Sequence, residues 1–270
     1  MWAEAGGVPG EKESRGRMVG VYFSGTGNSR HVLDVFLKAY DETLTSFSIE
    51  DDGVLTTIKA HEELVFAYPV QYSTVPKILN DFICENMDLW NGKKVFVIAT
   101  MGLFSGDGAG VLARLLHRYG AEVVGGLHVK MPDSIGDEKV LKRSLEKNKE
   151  FVKRAEEKAK NAANDLKKGK PKKEGLGLFS SVVGFLGQRL YFCYKTKNYS
   201  GKLKIDADKC VGCGKCVALC PMKNIAVKEG GCVSEERCTM CYRCVNNCPK
   251  QAITLLGKEV IEQSVIEKYL

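Results

Sequence analysis

Residues 210–221 read CVGCGKCVALCP, and residues 238–249 read CTMCYRCVNNCP. Each cysteine of the second stretch stands 28 residues after its counterpart in the first. The shared run, C-x2-C-x2-C-x3-C-P, is a thiolate cage for a [4Fe-4S] cube, in which three close cysteines grip three irons and a distant one takes the fourth. With two such runs the fourth cysteine is expected to cross over. Cys210, Cys213, Cys216 and Cys248 are therefore assigned to one cluster, and Cys238, Cys241, Cys244 and Cys220 to the other. A structural zinc site would use two C-x2-C pairs and leave the third cysteine and the proline-marked fourth without work. A disulfide framework belongs to small secreted chains, whereas a long chain of mixed composition without a signal peptide is expected in a reducing, cytoplasmic setting. Cys84, Cys193 and Cys232 lie outside the pattern, Cys232 between the two runs.

Lys209 to Ile253 resembles a bacterial two-cluster ferredoxin domain. The aliphatic positions repeat as well, Ile225 and Ile253 each lying five residues after the last cysteine of its run. The resemblance implies a small α+β unit in which paired aliphatics shield the cubes from water and help set their potentials.

The chain has 270 residues, 44% of them hydrophobic, which leaves room for a second domain with an ordinary core. The formal charge is +7, yet residues 139–173 alone carry fourteen Lys and Arg against five Asp and Glu, so the remainder sums to −2. Phe151 is the single aromatic in that basic run, too few to alternate with the charges, and nucleic acid is not an expected partner. No transmembrane run appears.

Met18 to Phe23 reads as an apolar strand that ends in Ser24-Gly25-Thr26-Gly27-Asn28-Ser29, after which His31 to Tyr40 has helical spacing. Strand, glycine turn and helix form a phosphate-binding arrangement. The glycines let backbone N–H groups turn inward, the hydroxyls of Ser24, Thr26 and Ser29 add donors, and the helix N-terminus favours an anion. A Walker loop would need a lysine that is absent, and a dinucleotide fingerprint would need glycine where Arg30 stands. A plain glycine turn is the remaining alternative. Ser24 to Ser29 resembles the phosphate loop of flavodoxins. That likeness implies an α/β, doubly wound parallel five-stranded sheet of order 2-1-3-4-5 with FMN at the carboxyl edge. Strands are expected at 43–49, 64–68, 94–100 and 121–130, and helices near 76–84 and 109–119.

The same resemblance implies two loops around the flavin ring. One holds Tyr68, Pro69, Val70, Tyr72, Ser73 and Thr74; the other holds Thr100, Met101, Gly102, Phe104, Ser105 and Gly106. Tyr72 and Phe104 either stack on the ring or pack beside it, and the glycines allow main-chain N–H groups to approach the ring edge. No catalytic acid, base or nucleophile stands out, so no catalytic residue is assigned. The expected organisation is a disordered tail at 1–17, a flavodoxin-like FMN domain at 18–168 closed by a charged helix at 138–168, a linker at 169–200 with an apolar helix face, a two-cluster domain at 201–257, and a helix or tail at 258–270.

Taken whole, the chain resembles the flavodoxin-ferredoxin fusion flavoproteins of anaerobic prokaryotes. The resemblance implies two [4Fe-4S] clusters and one FMN in an electron-transfer oxidoreductase that couples one-electron donors to a two-electron acceptor. The alternatives are an FMN-dependent reductase acting on a small quinone, nitro or enone acceptor, and a redox sensor or scaffold. A redox partner protein is expected in the first case and a small-molecule acceptor in the second. Peripheral membrane contact through the basic segment is the weaker alternative to packing between domains.

Overall fold

The computed structural model describes residues 18–72, 74–103, 108–177, 201–228 and 231–270. The expectations for residues 1–17, for the apolar helix face of the linker, and for Ser73, Phe104, Ser105, Gly106 and Cys193 lie outside the described residues.

Five parallel strands form the main sheet: β1 (Met18–Tyr22), β2 (Ser46–Ser48), β3 (Glu63–Pro69), β4 (Lys94–Met101) and β5 (Glu122–Lys130), in the order β2-β1-β3-β4-β5. The order and direction are those of a flavodoxin-like doubly wound sheet. Both faces are covered, so the central strands are apolar throughout. In β3, Leu64, Phe66 and Tyr68 enter one core, and Val65 and Ala67 enter the other, the two-residue alternation of a strand buried on both sides. The first core packs under α2 (Val54–Ala60), α3 (Lys77–Glu85) and α4 (Gly108–Arg118); the second packs under α1 (Asn28–Tyr40) and α5 (Leu145–Lys167).

The strand expected at 43–49 is shorter, Ser46–Ser48, and three helices differ from the sequence reading. Helix α1 begins at Asn28, inside the loop, because Gly27 takes a left-handed φ of 89° and lets the chain turn directly into the helix. Helix α5 begins at Leu145, since Ser144 caps it by accepting from the Lys147 N–H. Helix α2 was not expected; its seven residues bury only Val54 and Ile58 and leave no clear apolar periodicity.

The C-terminal unit has two antiparallel pairs, β6 (Lys204–Ile205) with β9 (Ile253–Thr254) and β7 (Ile225–Lys228) with β8 (Gly231–Ser234), and two short helices, α6 (Lys215–Leu219) and α7 (Arg243–Asn247). Left-handed backbone recurs with the sequence repeat. Gly212 (φ 64°), Gly214 (70°) and Lys223 (49°) in the first half match Met240 (57°), Tyr242 (59°) and Gln251 (50°) in the second, each pair 28 residues apart.

The two units share one interface. Asp137, after β5, accepts from the N–H groups of Leu255, Leu256 and Gly257 at 2.6, 2.9 and 3.1 Å. Asn246 donates to the Ser134 carbonyl at 2.7 Å, and Ile261 N–H donates to Gly136 at 2.9 Å. Beyond residue 258 the chain returns to the first unit: Ile266 and Tyr269, 4% and 3% exposed, fill the core under α1 and α5. Their apolar surface gains by leaving water, which makes the last residues part of the flavodoxin-like unit. Among the described residues, no helix is long and apolar enough to cross a membrane.

Candidate functional site

At the carboxyl edge of the sheet lies a cavity of about 400 Å³. The loop after β1 and the start of α1 line it with Ser24, Gly25, Thr26, Asn28 and Ser29, the end of β3 and its loop with Pro69, Val70, Gln71 and Tyr72, and the end of β4 and its loop with Thr100, Met101, Gly102 and Leu103. The Ser24 hydroxyl is buried with no partner among the described atoms, and no side chain caps the first turn of α1. A buried donor beside uncapped helix N–H groups suits a phosphate. Ser29 and Thr100 hold each other through their hydroxyls at 2.7 Å, tying the first loop to the third. Asn28 donates to the Pro132 carbonyl at 2.8 Å, tying it to the end of β5.

Three residues named from sequence stand away from this cavity. Tyr68 is fully buried in the sheet core and its hydroxyl donates to the Gly108 carbonyl, because an even position of β3 points into the first core. Thr74 closes a tight turn by exchanging both backbone hydrogen bonds with Gln71. Gly27 is covered by Ile266, whose Cγ2 would lie 2.2 Å from a Cβ at that position.

Sequence reasoning missed two walls. One is Met131 to Ile135, directly after β5. Burial pushes the Asp133 carboxyl above the usual aspartate range, against the opposing pull of the Ile135 N–H, Lys142 and Arg143. The other comes from the second cysteine run: Met240, Cys241 and Tyr242 form a face of the same cavity. A Cβ on Gly25 would lie 2.1 Å from the Cys241 carbonyl oxygen, so only glycine lets the two backbones meet. Where the first run has Gly212 and Gly214, the second has side chains in the same left-handed backbone, at a cost of about 1 kcal/mol each. These two residues flank Cys241 on the cavity face. The glycine-to-side-chain exchange at matching repeat positions was the signal available in the sequence.

Arg243 clamps this contact. It donates to both Glu50 oxygens at 2.7 and 2.8 Å, to the Ser24 carbonyl at 2.9 Å and to the Leu219 carbonyl at 3.2 Å. Burial alone would lower its pKa, and the Glu50 pair more than offsets this, so the guanidinium stays charged.

The cysteines surround two smaller cavities. Cys210, Cys213, Cys216 and Cys248 line one; Cys220, Cys238, Cys241 and Cys244 line the other. Among the described residues, no three His, Cys, Asp or Glu side chains converge tightly enough for a single metal ion, and thiols spaced around a cavity suit a multi-iron cube instead. Backbone N–H groups point at the sulfurs, Asn224 at Cys220 (3.2 Å), Met240 at Cys238 (3.3 Å) and Ala252 at Cys248 (3.4 Å). Burial pushes the Cys216 and Cys241 thiols up to about 12, so these pockets favour thiolates only with a bound cation to compensate.

Residues 202–249 match the 4Fe-4S dicluster domain family, a segment well short of half the chain. No curated protein sequence matches the chain. Similar solved structures include the two-electron reduced flavodoxin of Megasphaera elsdenii (22% identity, 54% of this chain and 99% of that one, TM-score 0.39) and flavodoxin 2 of Bacillus cereus (22%, 57% and 99%, 0.41). Rubredoxin oxygen:oxidoreductase of Desulfovibrio gigas is similar at 16% identity over 56% of this chain and 36% of that one, with a TM-score of 0.39. The fold assignment rests on the strand order. What fold and site define together is a flavodoxin-like domain joined to an iron–sulfur domain.

Proposed function

We propose that this chain is an electron relay, with one [4Fe-4S] cluster held by Cys210, Cys213, Cys216 and Cys248, a second held by Cys238, Cys241, Cys244 and Cys220, and FMN in the sheet-edge cavity. When bound, the cubes pass single electrons and the flavin stores one or two, so the chain joins one-electron and two-electron chemistry. The observation that carries this reading is the shared wall: Cys241 lines both the second cysteine cavity and the sheet-edge cavity. The order follows. The first cysteine set lies toward solvent, with Cys213 exposed and Val211 61% exposed, and is the entry for a redox partner protein. The second set would hold the cluster beside the flavin site.

The residues of the chain supply placement. Ser24, the first turn of α1 and the glycine turn bind the phosphate; Met240 and Tyr242 exclude water between thiolates and ring; Arg243 holds the two units in register. The Tyr242 hydroxyl lies against Asp137, and burial followed by that carboxylate raises its pKa, so it stays protonated. The test is anaerobic purification with assay of iron, sulfide and flavin, followed by reductive titration. About eight iron and one FMN per chain, with clusters and flavin reduced in equilibrium, support the relay; clusters that reduce while the flavin stays oxidised and isolated overturn it.

A further inference from the structure

The first cysteine cavity is lined by five cysteines where a cube takes four. Besides Cys210, Cys213, Cys216 and Cys248 it contains Cys232, which is 8% exposed and points inward from β8. It shares the cavity wall with Cys210 and Cys216. The adjoining residue makes this approach feasible. Gly231 has a φ of 136°, and a Cβ there would lie 3.4 Å from the Cys210 sulfur, so the strand passes within van der Waals contact of that ligand. Among the described residues the second cavity has no such thiol; the cysteines that line it are Cys220, Cys238, Cys241 and Cys244, and Leu203 lies beside them.

We propose that Cys232 is a reserve ligand of the first cluster, able to replace Cys210 or Cys216 as the thiolate on iron. This rests on the cluster assignment above. In the exchange, the Cys232 S–H bond breaks and its proton passes to solvent as the sulfur bonds to iron. The displaced cysteine, where present, takes up one proton as its own bond to iron breaks. No electron changes hands, and the cube keeps its iron and sulfide. A reserve thiol suits this cavity because it is the more exposed of the two, with Cys213 at the surface, and exposed thiols are the first to be oxidised or capped. Side-chain rotation suffices, since Cys232 already lines the cavity with the two cysteines it would replace.

The test uses the full chain, reconstituted without oxygen with ferrous iron, sulfide and FMN, and reads iron per flavin together with the cluster signals by electron paramagnetic resonance. Cys210→Ala is expected to keep about eight iron per chain with an altered signal for one cluster, whereas Cys210→Ala combined with Cys232→Ala falls to about four. Cys244→Ala, which has no fifth thiol beside it among the described residues, also falls to about four. A Cys210→Ala chain that binds flavin but holds only half the iron overturns the proposal, and so does a double variant that keeps it all. If Cys210→Ala fails to fold, the same pair at Cys216 decides in the same way. A wild-type chain without iron would instead defeat the cluster assignment, and the two failures are thus distinct.

Discussion

Removing the Arg243 side chain is expected to loosen the contact between the second cysteine run and the phosphate loop. The guanidinium makes a two-pronged pair with Glu50 and closes the carbonyls of Ser24 and Leu219, and the two side chains are 19% and 25% exposed. Truncating one member of a fully buried charge pair costs about 3–5 kcal/mol, and partial solvation of this pair brings the cost to about 3 kcal/mol. At about 1.4 kcal/mol per tenfold, Arg243→Ala raises the population with separated units about a hundredfold. Arg243→Lys keeps the charge but loses the fork and falls between. The assay is single-turnover reduction of the holoprotein, following cluster and flavin absorbance in separate bands, with heat denaturation in parallel. Flavin reduction in Arg243→Ala should slow while cluster content is unchanged. Wild-type rates and stability in that variant would refute the clamp.

Gly25→Ala is expected to weaken flavin binding and cluster-to-flavin transfer together, because the new Cβ meets the Cys241 carbonyl oxygen and neither backbone can yield locally; fluorescence titration with FMN reads the first effect. Met240→Gly relieves about 1 kcal/mol of left-handed strain, yet should weaken flavin binding by opening the cavity wall, an opposition that thermal unfolding of the flavin-free chain and FMN titration would resolve. Asp133 has a raised pKa when folded, so its contribution to stability is fully present below the unfolded aspartate value and is lost as pH rises through the folded one; Asp133→Asn should flatten that decline in denaturant unfolding across the acidic range. Ending the chain after Gln263 removes Ile266, Tyr269 and the 2.9 Å bond from Ile266 N–H to the Thr26 carbonyl, and FMN affinity should fall at least about tenfold, since each buried side chain is worth about 1.5–3 kcal/mol.

The parallel sheet was legible because its strands are buried on both faces and read as apolar runs, as in Val95 to Ala99. The grouping of the cysteines around two cavities was legible because their spacing and proline marks leave little freedom. What stayed hidden depends on long-range packing. Tyr68 sits at the end of an apolar strand and next to a loop, and only the sheet register decides that it faces the core. Asp133 is one ordinary acid after β5, and its burial comes from the loop around Gly102. The return of Ile266 and Tyr269 to the first unit has no local signal, because two apolar residues in a short charged segment look like any tail.

The central claim is that electrons reach the flavin through the second cysteine set, and the most direct measurement is flavin reduction by a one-electron protein donor too large to enter the sheet-edge cavity. With the wild-type holoprotein, cluster bleaching should precede flavin bleaching. With Cys244→Ala, still binding FMN but lacking the second cluster, flavin reduction by that donor should be lost. Flavin that is reduced as fast in Cys244→Ala as in the wild type would contradict the relay.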